Sequence, residues 1–119
     1  MSKLRINLGK YGEELATDFL IEKGFQIVTR NYRQKTGEVD IIAQDGNTLV
    51  FIEVKTRSSL LFGQPFEAVT EKKQAKLNRI ALDYMTRNSI KNQAARFDVV
   101  SILIKKNKEP VIEHLQNCF

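Results

Sequence analysis

Cysteine is almost absent from this chain of 119 residues: Cys118 stands alone. One thiol excludes an internal disulfide and a cysteine zinc cluster. It fits a reducing compartment, so the cytoplasm is the expected location. Histidine is as scarce. His114 is the only one, it falls on what reads as an edge strand, and a zinc site would need partners that are not visible. A surface position is expected for it. No uninterrupted apolar stretch approaches the length of a membrane span, so no membrane association is expected. Met1-Ser2-Lys3-Leu4-Arg5 leads straight into polar residues, which argues against a secretion signal. Repeats, low-complexity segments and interdomain linkers are missing too. A single domain over residues 1–119, with one core, is the expectation.

What is present is ordinary in amount and uneven in sign. Hydrophobic residues make up 42% and charged residues 28%, as in globular proteins generally. The net charge of +5 favours an anionic partner, nucleic acid foremost.

The chemistry concentrates in one hairpin. Gly37 to Ala43 and Leu49 to Arg57 are two largely apolar runs around Asp45-Gly46-Asn47, a strong turn signal. With Gly46-Asn47 at the tip, Gln44 falls opposite Leu49, Ala43 opposite Val50, Ile41 opposite Ile52, Asp40 opposite Glu53 and Val39 opposite Val54. Val39, Ile41, Ala43, Val50, Ile52 and Val54 then form a wholly apolar face. Directly opposed residues have Cβ atoms roughly 5 Å apart, where like charges destabilise a sheet. A carboxylate pair among apolar neighbours needs a cation or a shared proton. Two hard oxygen ligands suit Mg²⁺ or Mn²⁺, with water completing the shell. Lys55, two residues past Glu53, points to the same face and could hold a phosphate or orient water. A turn at Asp45-Gly46 instead moves Asp40 opposite Phe51 and keeps Glu53 as a diagonal neighbour. The bland reading is a cross-strand Asp–Lys ion pair on an exposed face, since Glu-Val-Lys is common in strands.

Asp, a gap, then Glu-x-Lys across a hairpin resembles the motif of the restriction-endonuclease-like nucleases. The wider pattern resembles the YraN family of uncharacterised, nuclease-like bacterial proteins. It runs through Gly12-Glu13 and Ala16, Arg30-Asn31-Tyr32-Arg33, Gly37-Glu38-Val39-Asp40, Phe51 to Arg57, Phe62-Gly63, Lys73-Gln74 and Arg96 to Val100. Val39 stands where the wider superfamily often has proline. The resemblance implies a restriction-endonuclease-like α/β core in which Asp40 and Glu53 bind metal and Lys55 assists catalysis. It places Lys73 and Gln74 near the active site. Its similarity to Holliday-junction resolvases implies DNA, more than RNA, as partner, with branched substrates and a homodimer.

The remaining elements frame the site. A first helix is expected from about Asn7 to Lys23, with Gly24 as its stop. Glu13 shares a stripe with Ala16 and Leu20, an unusual place for an acid, and is the third candidate carboxylate and metal ligand. Pairing with a nearby Lys or Arg explains it equally well. A strand over Phe25 to Arg33 follows. The loop Leu60 to Phe66 covers the sheet end or meets a partner. A second helix runs from near Thr70 to near Asn88 on a stripe of Leu77, Ile80, Ala81 and Tyr84. Its basic first turn opposes the helix dipole, so Lys72 and Lys73 are expected to meet phosphates or carboxylates, unless they form a solvated face. Arg96 to Ile104 is expected to pair in parallel through a right-handed crossover. Asp98 within it reads as structural. Val111 to Leu115 is a final short strand.

The expected fold is therefore a mixed β-sheet flanked by helices, in the order αβββαββ. The expected function is metal-dependent phosphodiester hydrolysis by Asp40, Glu53 and Lys55, with Glu13 in support. Arg33, Lys35, Arg57, Lys72 and Lys73 would hold the nucleic-acid backbone. A non-catalytic nucleic-acid-binding module and an interaction protein using the Leu60 to Phe66 loop are the alternatives.

Overall fold

The computed structural model describes residues 3–58 and 70–118, with side chains from residue 8 onward. The Leu60 to Phe66 loop lies outside the described residues. In chain order the elements are α1 (Lys3–Glu22), β1 (Gln26–Gln34), β2 (Gly37–Asp45), β3 (Thr48–Arg57), α2 (Glu71–Arg87), β4 (Ala94–Leu103) and β5 (Val111–Leu115). The αβββαββ order is the expected one. The first helix begins earlier than its sequence suggested, at Lys3 instead of Asn7.

The strands form one five-stranded sheet in the order β1-β2-β3-β4-β5. All neighbours are antiparallel except β3 and β4, which are parallel. α2 makes the crossover between those two, because parallel partners cannot be joined by a tight turn. The β2–β3 turn is tight: Asp45 pairs with Thr48 around Gly46-Asn47, and Gly46 takes φ +59. That left-handed backbone is open to glycine without strain.

Strand alternation sorts apolar side chains onto two faces. Ile41, Ala43, Val50 and Ile52 pack with Ala16, Leu20 and Phe25 on the α1 side. Ile42, Leu49 and Phe51 pack with Leu77, Ile80, Ala81 and Tyr84 of α2 on the other. The result is three layers, helix, sheet and helix. Leu49 to Ile52 are all buried, as a central strand covered on both faces requires.

Three expectations need correction. The β2–β3 pairs run as expected from Asp45↔Thr48 to Ile41↔Ile52, and stop there. Asp40 therefore does not pair with Glu53, nor Val39 with Val54. Instead the Val54 N–H donates to Asp40 Oδ2 at 2.7 Å, so a side chain replaces the next main-chain bond. Val39 packs on the α2 side although Ile41, two residues on, packs on the α1 side. Alternation thus slips at Asp40, and the apolar face does not include Val39. A matching slip lies opposite, on β1. Arg30 reaches α1 while Tyr32 joins the α2-side core, and Asn31 between them has φ +54. Local irregularities of this kind re-aim side chains near the ends of paired strands.

His114 is the third correction. Its side chain is 2% exposed, not a surface group. It shares a hydrogen bond of 2.8 Å with Asp98 through Nε2 and packs edge-on against Phe19 and Phe25. Lys23 Nζ lies 2.7 Å from its Nδ1. A neutral ring protonated on Nε2 satisfies both contacts. Asp98 is structural as expected. It accepts from Arg96 and also from the Asn117 N–H.

Candidate active site

The end of the sheet beyond Ile41 and Ile52 gathers the charged residues. Glu53 and Lys55 alternate with Val54 on β3, so both project toward α2, while Val54 packs on the α1 side. Lys55 Nζ lies 3.2 Å from Glu53 Oε1. Lys73 Nζ makes a closer ion pair with the same oxygen. Lys73 is fixed there by the start of α2. Thr70 is the N-cap, and its hydroxyl accepts the Lys73 N–H at 3.2 Å. Two ammonium groups thus share one carboxylate oxygen. The other, Glu53 Oε2, is buried and has no hydrogen-bond partner among the described residues. An unsatisfied buried oxygen costs on the order of 1–3 kcal/mol.

Asp40 stands at the slip in β2. Burial pushes its carboxyl above the usual carboxylate range, against the Val54 N–H bond, and the charges of Glu53, Glu13 and Glu38 push it further. The other two candidate carboxylates, Glu53 and Glu13, therefore both bear on Asp40. Burial, and then Lys73 beside it, pull the Lys55 ammonium below its ordinary value, although Glu53 opposes them. Lys73 moves the other way. Burial works against its charge, but the bonds to Glu53 and Lys55 and the charges of Glu53 and Asp40 together outweigh it.

Glu13 reaches this region from the α1 side. Its Oε1 accepts from Arg30 Nε at 3.2 Å and Asn31 Nδ2 at 2.9 Å. Glu13 and Asp40 line an open groove of about 530 Å³ together with Lys10, Asn31, Arg33 and Lys55. The hydrogen-bond partners of Glu13 are those of a paired boundary residue, and it still borders the same groove as Asp40. No group of three or more His, Cys, Asp and Glu among the described residues stands close enough to hold a metal ion. A cation at this sheet end would have two carboxylates at most, Asp40 and Glu53, with water in the remaining positions, the donor chemistry that suits Mg²⁺. The unpartnered Glu53 oxygen and the raised Asp40 carboxyl are both relieved by a positive charge between them.

The five candidate backbone contacts are dispersed. Arg33 is exposed on the groove rim and pairs with Glu38 at 3.1 Å. Lys35 is exposed in the β1–β2 turn, and Lys72 is exposed on α2. Arg57 is half-buried on the Glu53 face, and its Nε has no partner among the described residues. Only Lys73 joins the carboxylates directly. Sequence reasoning missed Lys10 and Asn31. Asn31 carried a usable signal, since asparagine is enriched among residues with positive φ.

Among the described residues no helix is long and apolar enough to cross a membrane. Residues 12–102 match the Uncharacterised protein family UPF0102. Similar chains include the UPF0102 protein of Caldicellulosiruptor saccharolyticus, 50% identical over 94% of this chain and 96% of that one. The UPF0102 protein of Thermodesulfovibrio yellowstonii is 49% identical over 97% of both. That of Trichlorobacter lovleyi is 43% identical over 94% of this chain and 89% of its own. With both the family match and these relatives spanning most of its length, the chain belongs to UPF0102, the YraN family that its motifs resemble.

Proposed function

We propose that this protein is a nuclease that uses Mg²⁺ or Mn²⁺ to hydrolyse phosphodiester bonds of nucleic acid, DNA before RNA. The observation that carries the reading is Glu53: one carboxylate oxygen buried without a partner, the other held by two lysines, next to an Asp40 whose ionisation is opposed by its neighbours. Asp40 and Glu53 would hold the cation. Bound there, it would supply Lewis acidity to the phosphate and lower the pKa of an attacking water. Lys55 keeps a cation at the same sheet end, where it offsets charge on the phosphate or orients the water. The water oxygen attacks phosphorus, one P–O ester bond breaks, and the leaving oxygen takes up a proton. Glu13 holds Arg30 and Asn31 in place on the groove wall. Arg33, Lys35, Arg57 and Lys72 would track the flanking backbone, which is positioning without sequence readout.

Isothermal titration with Mn²⁺ tests the site. Wild type should bind, and Asp40→Asn and Glu53→Gln should not. Equal binding by all three, or none by the wild type, removes the site. Cleavage is then assayed on single-stranded, duplex, flapped and four-way-junction DNA and on structured RNA. A non-catalytic nucleic-acid module is favoured by one observation, the pairing of Glu53 Oε1 with both Lys55 and Lys73. Nucleic-acid binding with neither metal uptake nor cleavage would select it.

A further inference from the structure

Glu53 is held by a residue that the Asp, Glu and Lys of the hairpin do not include. We infer that Lys73 is the resident counter-ion of the site, and that a divalent cation and a phosphate group replace it together. The cation takes Glu53, and the released ammonium takes the phosphate. The inference rests on the metal-dependent reading above and adds to it a coupling between two ligands.

Three observations lead here. First, both ammonium groups contact the same oxygen of Glu53, Oε1. One carboxylate cannot stay fully paired with two lysines and also ligate a divalent ion, because the three cations repel one another at this range. Second, the two lysines are not equivalent. Lys55 stands on β3 itself, two residues from Glu53 on the same strand. Lys73 arrives from the first turn of α2, so its side chain can swing away while Thr70 keeps its backbone capped. Third, the face around Glu53 already holds an excess of positive charge. Lys55, Arg57 and Lys73 all lie on it, and Arg57 Nε is buried without a partner among the described residues. When a metal ion neutralises Glu53, Lys55 and Lys73 lose their counter-ion. A tetrahedral phosphate group, with anionic oxygens on more than one side, is the chemistry that replaces it.

Linkage makes the coupling reciprocal: an anion that captures Lys73 must raise metal affinity by the factor by which metal raises anion affinity. The probe is Mn²⁺, titrated calorimetrically into wild type, Lys73→Met, Lys73→Gln, Lys55→Met and Glu53→Gln. Each titration is run in sulfate, as a phosphate mimic, and in chloride at matched ionic strength. Melting temperatures accompany each variant. In chloride, Lys73→Met and Lys73→Gln should bind Mn²⁺ roughly five- to tenfold more tightly than wild type, the scale of one half-buried ion pair removed from competition. Sulfate should tighten Mn²⁺ binding by wild type and leave the two Lys73 variants unchanged. Unaltered or weaker Mn²⁺ binding by both Lys73 variants, with wild type binding and Glu53→Gln abolishing it, overturns the counter-ion role and leaves the metal site standing. Equal tightening by sulfate in wild type and the Lys73 variants also overturns it, because the anion then acts elsewhere. Absence of Mn²⁺ binding in every protein takes down both readings.

Discussion

Gly12→Ala should loosen the site although Gly12 carries no side chain. A Cβ built on Gly12 would lie 1.9 Å from Thr56 Oγ1, 2.8 Å from Thr56 Cγ2 and 2.9 Å from Thr56 Cβ. Ordinary carbon contacts are about 3.5–4.0 Å. Rotating Thr56 moves its Oγ1 and Cγ2, but its Cβ is fixed to the strand. A β-branched side chain also has few rotamers to retreat into. The helix or the strand must therefore shift. Two effects compete. Gly→Ala in a helix interior stabilises by about 1 kcal/mol on its own. Overpacking costs about 1–3 kcal/mol. The clash includes an atom that no rotamer can move, so the upper part of that range applies. The net expectation is a destabilisation of about 1–2 kcal/mol, or a fall in Tm of roughly 4–8 °C for a chain of this size.

Thermal and urea unfolding of Gly12→Ala, Thr56→Gly and the double variant measure it. Thr56→Gly removes all three clashing atoms, so the double variant should recover much of the Gly12→Ala loss, a non-additivity of about 1 kcal/mol. A Gly12→Ala protein as stable as wild type or more so, or strictly additive effects, would refute the close-approach reasoning. The neighbouring residue extends the test to the groove. Glu13 follows Gly12 directly and holds Arg30 and Asn31, so the same shift should disturb the groove wall beside Asp40.

Asp40→Asn should raise the melting temperature at pH 7, since burial and three carboxylates hold the Asp40 carboxyl above its ordinary range and its charged form therefore opposes folding. The amide oxygen can still accept the Val54 N–H. The gain should vanish below about pH 4, where the unfolded chain also protonates this group, and a gain that persists in acid refutes the assignment. Asp98→Asn should do the opposite, costing about 3–5 kcal/mol by leaving a buried ion pair broken. Burial works to raise the Asp98 carboxyl, but bonds from His114, Arg96 and the Asn117 N–H outweigh it and hold it below its usual range. Its contribution is present above about pH 4 and lost as pH falls through the depressed folded value. Acid titrations of wild type and Asp98→Asn followed by circular dichroism should therefore converge, and parallel curves would contradict the linkage. Lys55→Ala should keep its melting temperature and Mn²⁺ binding while losing cleavage on the order of 10²-fold or more, and cleavage at the wild-type rate ends its catalytic role. Joint substitution of Arg57, Lys72 and Lys73 by Ala should weaken duplex binding and lower the salt slope by about two to three, near 0.9 per phosphate contact. Fluorescence anisotropy at several salt concentrations reads both, and an unchanged slope places the backbone contacts elsewhere.

The sequence carried the elements because each has a local cause. Periodicity placed Leu77, Ile80, Ala81 and Tyr84 on one stripe, and all four are buried. The Gly46-Asn47 tip fixed the register from Gln44↔Leu49 to Ile41↔Ile52. The expected register runs two pairs too far, because nothing in a strand's own pattern announces that a side chain will take over a main-chain bond, as Asp40 does for Val54. His114 was misplaced for a related reason. Exposure on an edge strand is the rule only when no buried acid faces it, and Asp98 lies on the neighbouring strand, two residues from Val100, the partner of His114. Two features were visible as local violations whose causes are tertiary. A lysine in the first turn of a helix works against the helix dipole, and Lys73 does so because Glu53 stands opposite it. A glycine inside a helix lowers its stability, and Gly12 is there because Thr56 leaves no room for a methyl. Both violations fall at the same end of β3, on opposite faces of the sheet. The places where this chain departs from local preference are therefore the places where two helices are brought onto the strand that carries Glu53 and Lys55.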